Sequence, residues 1–507
     1  MTVLIKSRNL LSIGEKSFLI LFRFALLLII STSSITAGTA DTLYLTVQEA
    51  VLTGLQNNPT VTIQRLEPEV RKTYAGEQRA AFDPTISVEA EKNITESQRR
   101  LGALPNPLEL RLEDYSVDLT VSESLLTGTN IAISTGVSGS VSNLYKDQYT
   151  GTIGLTVSQS LLNGISPRAN LANLRQVRLD VDISQAELKG VAESVVAEVE
   201  KGYWTLYLAG QGVEIQNQSL DLALQQLAES QERVRVGKLP ELELAAVEAE
   251  VAARRSALIN SQSQSEQARL NLLYVLNPRT ENVWLKTPRL LDKPFFPTDT
   301  LDALTVHEQI ALKYRPDLQQ ARLALKKGEL EIVKTKNGLL PKLDVFITLG
   351  TTAYSQTFRD ALPDVNSPYY SIRGGINFSQ PVPNRQASAQ LARARFSHEQ
   401  QKIAVENMEK LVHRDVRSAY TEVQRARQQI EATRVTRELQ QKKLAAEIEK
   451  FRVGKSTNIL VLQAQRDFTA SQLDEVGVMI GYLNALVDLY QVEGSLLERR
   501  GISTNLE

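Results

Sequence analysis

The sequence predicts an α+β fold in which duplicated long helices, packed as a coiled-coil barrel, join strands of a transmembrane β-barrel shared between protomers. Three observations carry that prediction: an internal repeat, helical patterns that run unbroken over 168–235 and 385–452, and alternating strands behind a secretory leader. Composition trims the alternatives. With 57 basic against 58 acidic side chains, no nucleic acid is expected to bind through bulk positive charge. With no cysteine and three histidines, disulfides and thiolate metal sites are excluded and acid–base chemistry is poorly supplied.

The leader comes first. Lys6, Arg8, Lys16 and Arg23 precede an apolar run from Phe24 to Ile30, and small residues then lead to Gly38-Thr39-Ala40. Residues 1–40 therefore read as a signal peptide cleaved after Ala40. The alternative, a membrane anchor, needs about 20 apolar residues, more than this run supplies.

The repeat sets the domain order. A shift of 217 positions brings Arg168 onto Arg385, Leu174 onto Leu391, Val199 onto Val416, Tyr203 onto Tyr420 and Gly237 onto Gly454. A shift of 257 aligns Leu55 with Leu312, Pro59 with Pro316 and Pro84 with Pro341, so the first copy holds 40 extra residues between Pro84 and Arg168. The first repeat spans 41–276. A helix over 46–57 stops before Pro59, because the residue preceding proline disfavours helix. A second helix runs toward Pro84, strands fill 85–160, and a long hairpin occupies 168–275. A proline-rich linker, 277–302, leads to the second repeat, 303–495, with helices before Pro341, strands over 342–380 and a hairpin over 385–491. Residues 496–507 are a C-terminal tail.

Within the second hairpin, Met408, Val412, Val416, Tyr420, Val423 and Ile430 recur by threes and fours or by seven, a narrow apolar seam amid charged residues. Gly237 and Gly454 interrupt the long helices at positions that suit C-terminal caps. In the strand region, Ile86 and Val88, then Val117, Leu119 and Val121, then Ile131, Ile133, Val137 and Val141, then Ile153, Leu155 and Val157 alternate with small polar residues. Segments of about ten residues with one apolar and one polar face suit a membrane barrel, though a soluble sandwich alternates equally well. Tyr115, Tyr145, Tyr149, Tyr354, Tyr369 and Tyr370 fall near expected strand ends, as an interfacial girdle requires. Adding the shorter Leu343–Leu349 and Ser371–Phe378 runs gives six strands, too few to close a pore in one chain.

Together these features resemble the TolC-like outer-membrane efflux family. The resemblance rests on Leu45-Thr-Val-Gln-Glu-Ala-Val51 leading to Asn57-Asn58-Pro59, the Pro84 and Pro341 junctions, Ser158-Gln-Ser-Leu-Leu162 and Ser379-Gln-Pro-Val382, and the paired Val-Gly-Lys turns. It covers about residues 43–495. It implies a homotrimer in outer-membrane lipid whose helices cross the periplasm and dock on a periplasmic adaptor and an inner-membrane pump. It also implies that Val236, Gly237, Lys238, Leu239, Val453, Gly454, Lys455 and Ser456 form the entrance tips that meet the adaptor. Where some members carry a ring of gating aspartates, this chain has Leu460 and Gln463, which argues against an acidic gate there. Glu241 and Glu243 offer carboxylates after the first tip, although acids in a first helical turn also suit the helix dipole.

The first repeat departs from the family in carrying about two more strands, hence an expected wider barrel. His307-Glu308 and His398-Glu399 lack the second histidine of a zinc-protease helix and read as solvated helix residues. No phosphate loop, nucleotide fingerprint or nucleophile elbow occurs, so no enzyme activity and no cofactor or metal is expected. The expected function is a passive exit duct for small molecules or proteins; a periplasmic adaptor and a structural coiled-coil spacer are the alternatives.

Overall fold

The structure is a computed structural model describing residues 42–99, 107–143, 146–279, 281–295, 301–361 and 368–502. The expected signal peptide and its cleavage site, Tyr145, and residues 503–507 of the tail lie outside the described residues. In chain order the elements are β1 (Thr42–Leu45), α1 (Val47–Asn57), α2 (Pro59–Arg79), β2 (Thr85–Arg99), β3 (Leu108–Ser124), β4 (Thr129–Ser142) and β5 (Gln148–Ser160). Then come α3 (Pro167–Asn170), α4 (Ala172–Arg235), α5 (Leu242–Leu276), β6 (Thr287–Leu290), α6 (Leu304–Tyr314) and α7 (Pro316–Gly338). The chain closes with β7 (Lys342–Ser355), β8 (Tyr370–Ser379), α8 (Arg385–Arg452), α9 (Asn458–Val492) and α10 (Leu496–Arg499).

Local chemistry explains the helix starts. Thr46 and Glu49 form a reciprocal capping box at α1, with the Glu49 N–H donating to Thr46 Oγ1 at 3.2 Å and the Thr46 N–H to Glu49 Oε2 at 2.9 Å. Pro59, Pro167 and Pro316 open α2, α3 and α7, where a missing N–H costs nothing. At 64 and 68 residues, α4 and α8 are each roughly 100 Å long. Such rods need flanking partners. The upstream part of α4 packs on α2 and α7, and its downstream part on α5 and α9; α8 packs on α6, α7 and α9. The seam read from sequence is internal: Val412, Val416, Val423 and Ile430 are buried and Met408 and Tyr420 pack against the same core.

All six long strands form one antiparallel sheet, ordered β2-β3-β4-β5-β7-β8. The extra hairpin β3–β4 therefore lies within this sheet. Register puts Ile86, Val88, Val117, Leu119, Val121, Ile131, Ile133, Ile153, Leu155, Val157, Val345, Ile347, Leu349, Ile372, Ile376 and Phe378 on one face, with Ser, Thr and carboxylates on the other. No helix among the described residues is long and apolar enough to cross a membrane.

Several expectations need correction. Five of the six long strands exceed ten residues, reaching 15 in β2 and 17 in β3, while β8 has ten. Beyond the apolar band, the same face carries Lys92, Arg111 and Glu113, paired at 3.2 Å (Lys92–Glu113) and 2.9 Å (Arg111–Glu113), so strand pairing continues past the apolar zone. Tyr115, Tyr149 and Tyr370 share the apolar face, but alternation sends Tyr354 to the other. The linker is not merely a spacer, since its β6 pairs in parallel with β1. The tail begins inside the core, where Leu496 and Leu497 are fully buried. Lastly, His307 and Glu308 are not solvated. His307 is fully buried with Nδ1 2.5 Å from Glu493 Oε2, and Glu308 takes Arg417 at 2.7 Å and His413 at 3.3 Å. Packing of α6 against α8 and the C-terminal residues buries them, a long-range cause that local sequence does not signal.

Candidate functional site

The features expected of a working surface concentrate in two regions of the chain, the tips of the helical hairpins and the two-faced sheet. At both tips a long helix ends in the same backbone motif. In the first, the Gly237 N–H donates to Val234 O at 3.0 Å and the Lys238 N–H to Arg233 O at 2.8 Å. In the second, Gly454 donates to Phe451 O at 3.1 Å and Lys455 to Lys450 O at 2.7 Å. This is the Schellman arrangement, and it needs the left-handed φ of 71° at Gly237 and 73° at Gly454. A Cβ at either glycine would touch nothing, so the backbone conformation alone selects glycine.

Around these glycines the tips are exposed and carry charges of both signs. Val236 and Val453 project into solvent. Arg235 pairs with Glu232 at 2.5 Å, Arg452 with Glu449 at 3.0 Å and Lys450 with Glu447 at 2.6 Å. Lys450, with the Ser456 hydroxyl at 2.8 Å, holds the Glu447 carboxyl below the usual carboxylate range. Lys238 and Lys455 have no ion-pair partner among the described residues. Leu239 is half-buried and Glu241 exposed, while Glu243 sits half-buried in the first turn of α5 without capping it. Leu460 and Gln463 are both exposed on α9.

Sequence reasoning missed the residues that join the two hairpins. Asn458, buried at the start of α9, accepts from Gln226 Nε2 at 2.7 Å and from Ser230 Oγ at 3.4 Å, both on α4. Arg233 donates to the Phe451 carbonyl at 3.3 Å and lies 4.3 Å over its ring. Ser219 and Thr469 bond at 3.1 Å. The available signal was the spacing of Ser219, Gln226 and Ser230 by seven and four, which sets polar residues on the helix face they share with Ile215 and Ala223.

At the opposite end, the β3–β4 turn sits on the helical layer. Gly128 adopts φ of 76° and a Cβ there would lie 2.3 Å from Gly164 O, so only glycine fits. Asn170 Nδ2 ties Leu126 O at 2.8 Å to Gly164 O at 2.6 Å. The short β3–β4 turn thus lies against the segment that leads from β5 into α3. No group of three or more metal-ligating side chains converges among the described residues.

Comparison with known proteins gives a consistent relationship. A family model described as outer membrane efflux protein matches residues 53–277 and 308–495. The chain is 24% identical to the outer membrane efflux protein BepC of Brucella suis over 64% of this chain and 68% of that protein. It is also 24% identical to the pyoverdine export outer membrane protein OpmQ of Pseudomonas putida, over 62% of this chain and slightly under two thirds, 64%, of that one. Among solved structures, the outer-membrane channel OprN superposes with a TM-score of 0.67 at 16% identity, covering 89% of this chain and 90% of that one. The Campylobacter jejuni CmeC outer membrane channel gives 0.64 at 16% identity over 89% and 86%.

Proposed function

The chain belongs to the outer membrane efflux protein family, and on that footing we propose that three copies form the exit duct of a tripartite efflux or type I secretion system. Membership makes it an outer-membrane conduit and not an enzyme. The duct passively conducts small molecules or proteins received from a periplasmic adaptor and an inner-membrane pump, which supplies the energy.

The observation that carries this reading is the sheet. Its apolar face suits lipid and its hydroxyl-rich face suits a water-filled lumen, yet its edges β2 and β8 are open. Unpaired strand edges are not tolerated in hydrocarbon, so the wall must close, and six strands cannot enclose a pore. Three copies supply eighteen strands. Spaced about 4.8 Å apart and tilted about 45°, these enclose a cylinder about 40 Å across the backbone, half as wide again as twelve strands would give. The β3–β4 hairpin accounts for that difference. Below the barrel, α4 and α8 have the length to cross the periplasm as a coiled-coil barrel, and the Gly237 and Gly454 tips form its entrance. Lys238 and Lys455 offer free ammonium groups to an acidic adaptor surface there.

Purification from outer-membrane fractions tests the assembly. The mature protein is expected to need detergent for extraction and to have the mass of three chains by light scattering after detergent correction. A freely soluble monomer would instead favour an adaptor or a structural spacer.

A further inference from the structure

Resting on the trimeric reading above, we infer that one protomer's β8 and α8 pair with the partner subunit's β2 and α2, in the register that the internal repeat copies from the β5–β7 seam. Inside one chain the repeats already meet once. There β5, the last strand of the first repeat, pairs with β7, the first of the second, with Ser158 opposite Phe346 and Thr156 opposite Thr348. Beneath that seam α7 is held between α4 and α8. Lys327 reaches Asp180 at 2.7 Å and Gln176 reaches Glu331 at 3.0 Å.

The equivalent seam at the other edge is half empty. α2, the counterpart of α7, packs chiefly on α4. Its opposite side exposes Ile63, Leu66, Val70 and Tyr74, spaced three to four apart as one helical stripe. An apolar stripe on a helix that contacts one neighbour where its counterpart contacts two calls for the missing neighbour. The repeat identifies it as α8 of another copy, whose Phe396 and Ile403 are also exposed. Above, β2 and β8 run antiparallel to each other across the six-stranded sheet, so β8 can accept β2 of the next copy in the same sense as every other seam.

The register follows from the repeat. Ser158-Gln159 corresponds to Ser379-Gln380, and Phe346 corresponds to Glu89 through the proline-anchored shift of 257. Ser379 then faces the partner's Glu89, and Asn377 faces the partner's Glu91, where its amide N–H can donate to the carboxylate. On the lipid side Phe378 faces the partner's Ala90, a large side chain against a small one. A ladder row starting at Thr85 runs through Ser122, Ala132, Thr156, Thr348 and Arg373 to the partner's Thr95. That climb of ten residues over six strands sets a tilt of about 50°, steeper than the 35–45° usual for such barrels. Slips of two or four residues would flatten it to about 43° or 35°.

The absence of cysteine makes the test clean. Full-length protein in outer membranes would carry Ser379→Cys with Glu89→Cys, or Phe378→Cys with Ala90→Cys, one pair on each face because only the non-hydrogen-bonded type brings Cβ atoms close. Oxidation of one of these pairs is expected to give covalent trimers on non-reducing gels at least tenfold above the slipped pairs Asn377→Cys/Glu89→Cys and Gly375→Cys/Glu89→Cys. Better cross-linking of a slipped pair, or native trimers that no pair cross-links, overturns the register. Absence of trimers in the unmodified protein sinks the trimeric reading itself. As an independent readout, Leu66→Asp and Phe396→Asp should each lower the temperature at which trimers dissociate; trimers as heat-resistant as wild type would remove α2 and α8 from the interface.

Discussion

Replacing Glu193 with glutamine should reshape the pH dependence of stability. Glu193 lies on α4 at 2% exposure, and its Oε1 has no hydrogen-bond partner. Burial is the main cause that raises its pKa to about 8; the Lys189 ammonium, 3.8 Å away, opposes this, while Glu498 and Glu493 reinforce it. The unfolded chain releases this proton near pH 4.5, whereas the folded chain keeps it until about pH 8. Between those values the folded state holds more protons, so stability is complete below about pH 4.5 and falls as pH rises toward 8. Each unit of that window costs up to about 1.4 kcal/mol, so a few kcal/mol disappear in total. Glutamine has no proton to lose. Thermal melts of detergent-solubilised protein from pH 5 to 9 should show wild type falling relative to Glu193→Gln, with the curves nearest at the acid end. Parallel curves across the whole range would refute an ionising, solvent-starved Glu193.

Gly237→Ala and Gly454→Ala meet no steric obstacle, so each should cost only the left-handed backbone penalty, about 1 kcal/mol, read as faster hydrogen exchange at the altered tip and unchanged exchange in the sheet. Leu155→Arg, on the apolar face, should cost about 2–4 kcal/mol and sharply reduce heat-resistant oligomer in membranes, whereas Thr156→Arg on the opposite face should leave its yield nearly intact. Lys238→Glu with Lys455→Glu should abolish co-purification with the adaptor and pump while leaving membrane insertion unchanged, and equal recovery of both partners would remove the tips from docking.

Much of this architecture is legible in the sequence because it is local or repeated. Helix starts follow from Pro59 and Pro316, strand faces from period-two alternation, and tips from glycines at equivalent places. What escaped the sequence lies where distant segments meet. Burial of His307 against Glu493 depends on α6 and the chain end meeting across 186 residues. The β1–β6 pair likewise joins the start of the described chain to a segment that the sequence marks only as a proline-rich linker. Tyr203 closes this layer, its hydroxyl donating to Leu45 O at 3.1 Å and accepting the Asp292 N–H at 3.0 Å. At the candidate site, the glycines signalled the turns, but the Gln226–Asn458 bond depends on how α4 and α9 pack together.

A chain that makes a water-filled duct must carry ionic current across a planar lipid bilayer. Purified mature protein should insert as single units that pass ions without an energy source, and the six-strand contribution per chain predicts a wide outer mouth. Polyethylene glycols about 20 Å across should enter from the outer side and lower the current. Protein that inserts no conducting units under these conditions would mean that the chain forms no duct.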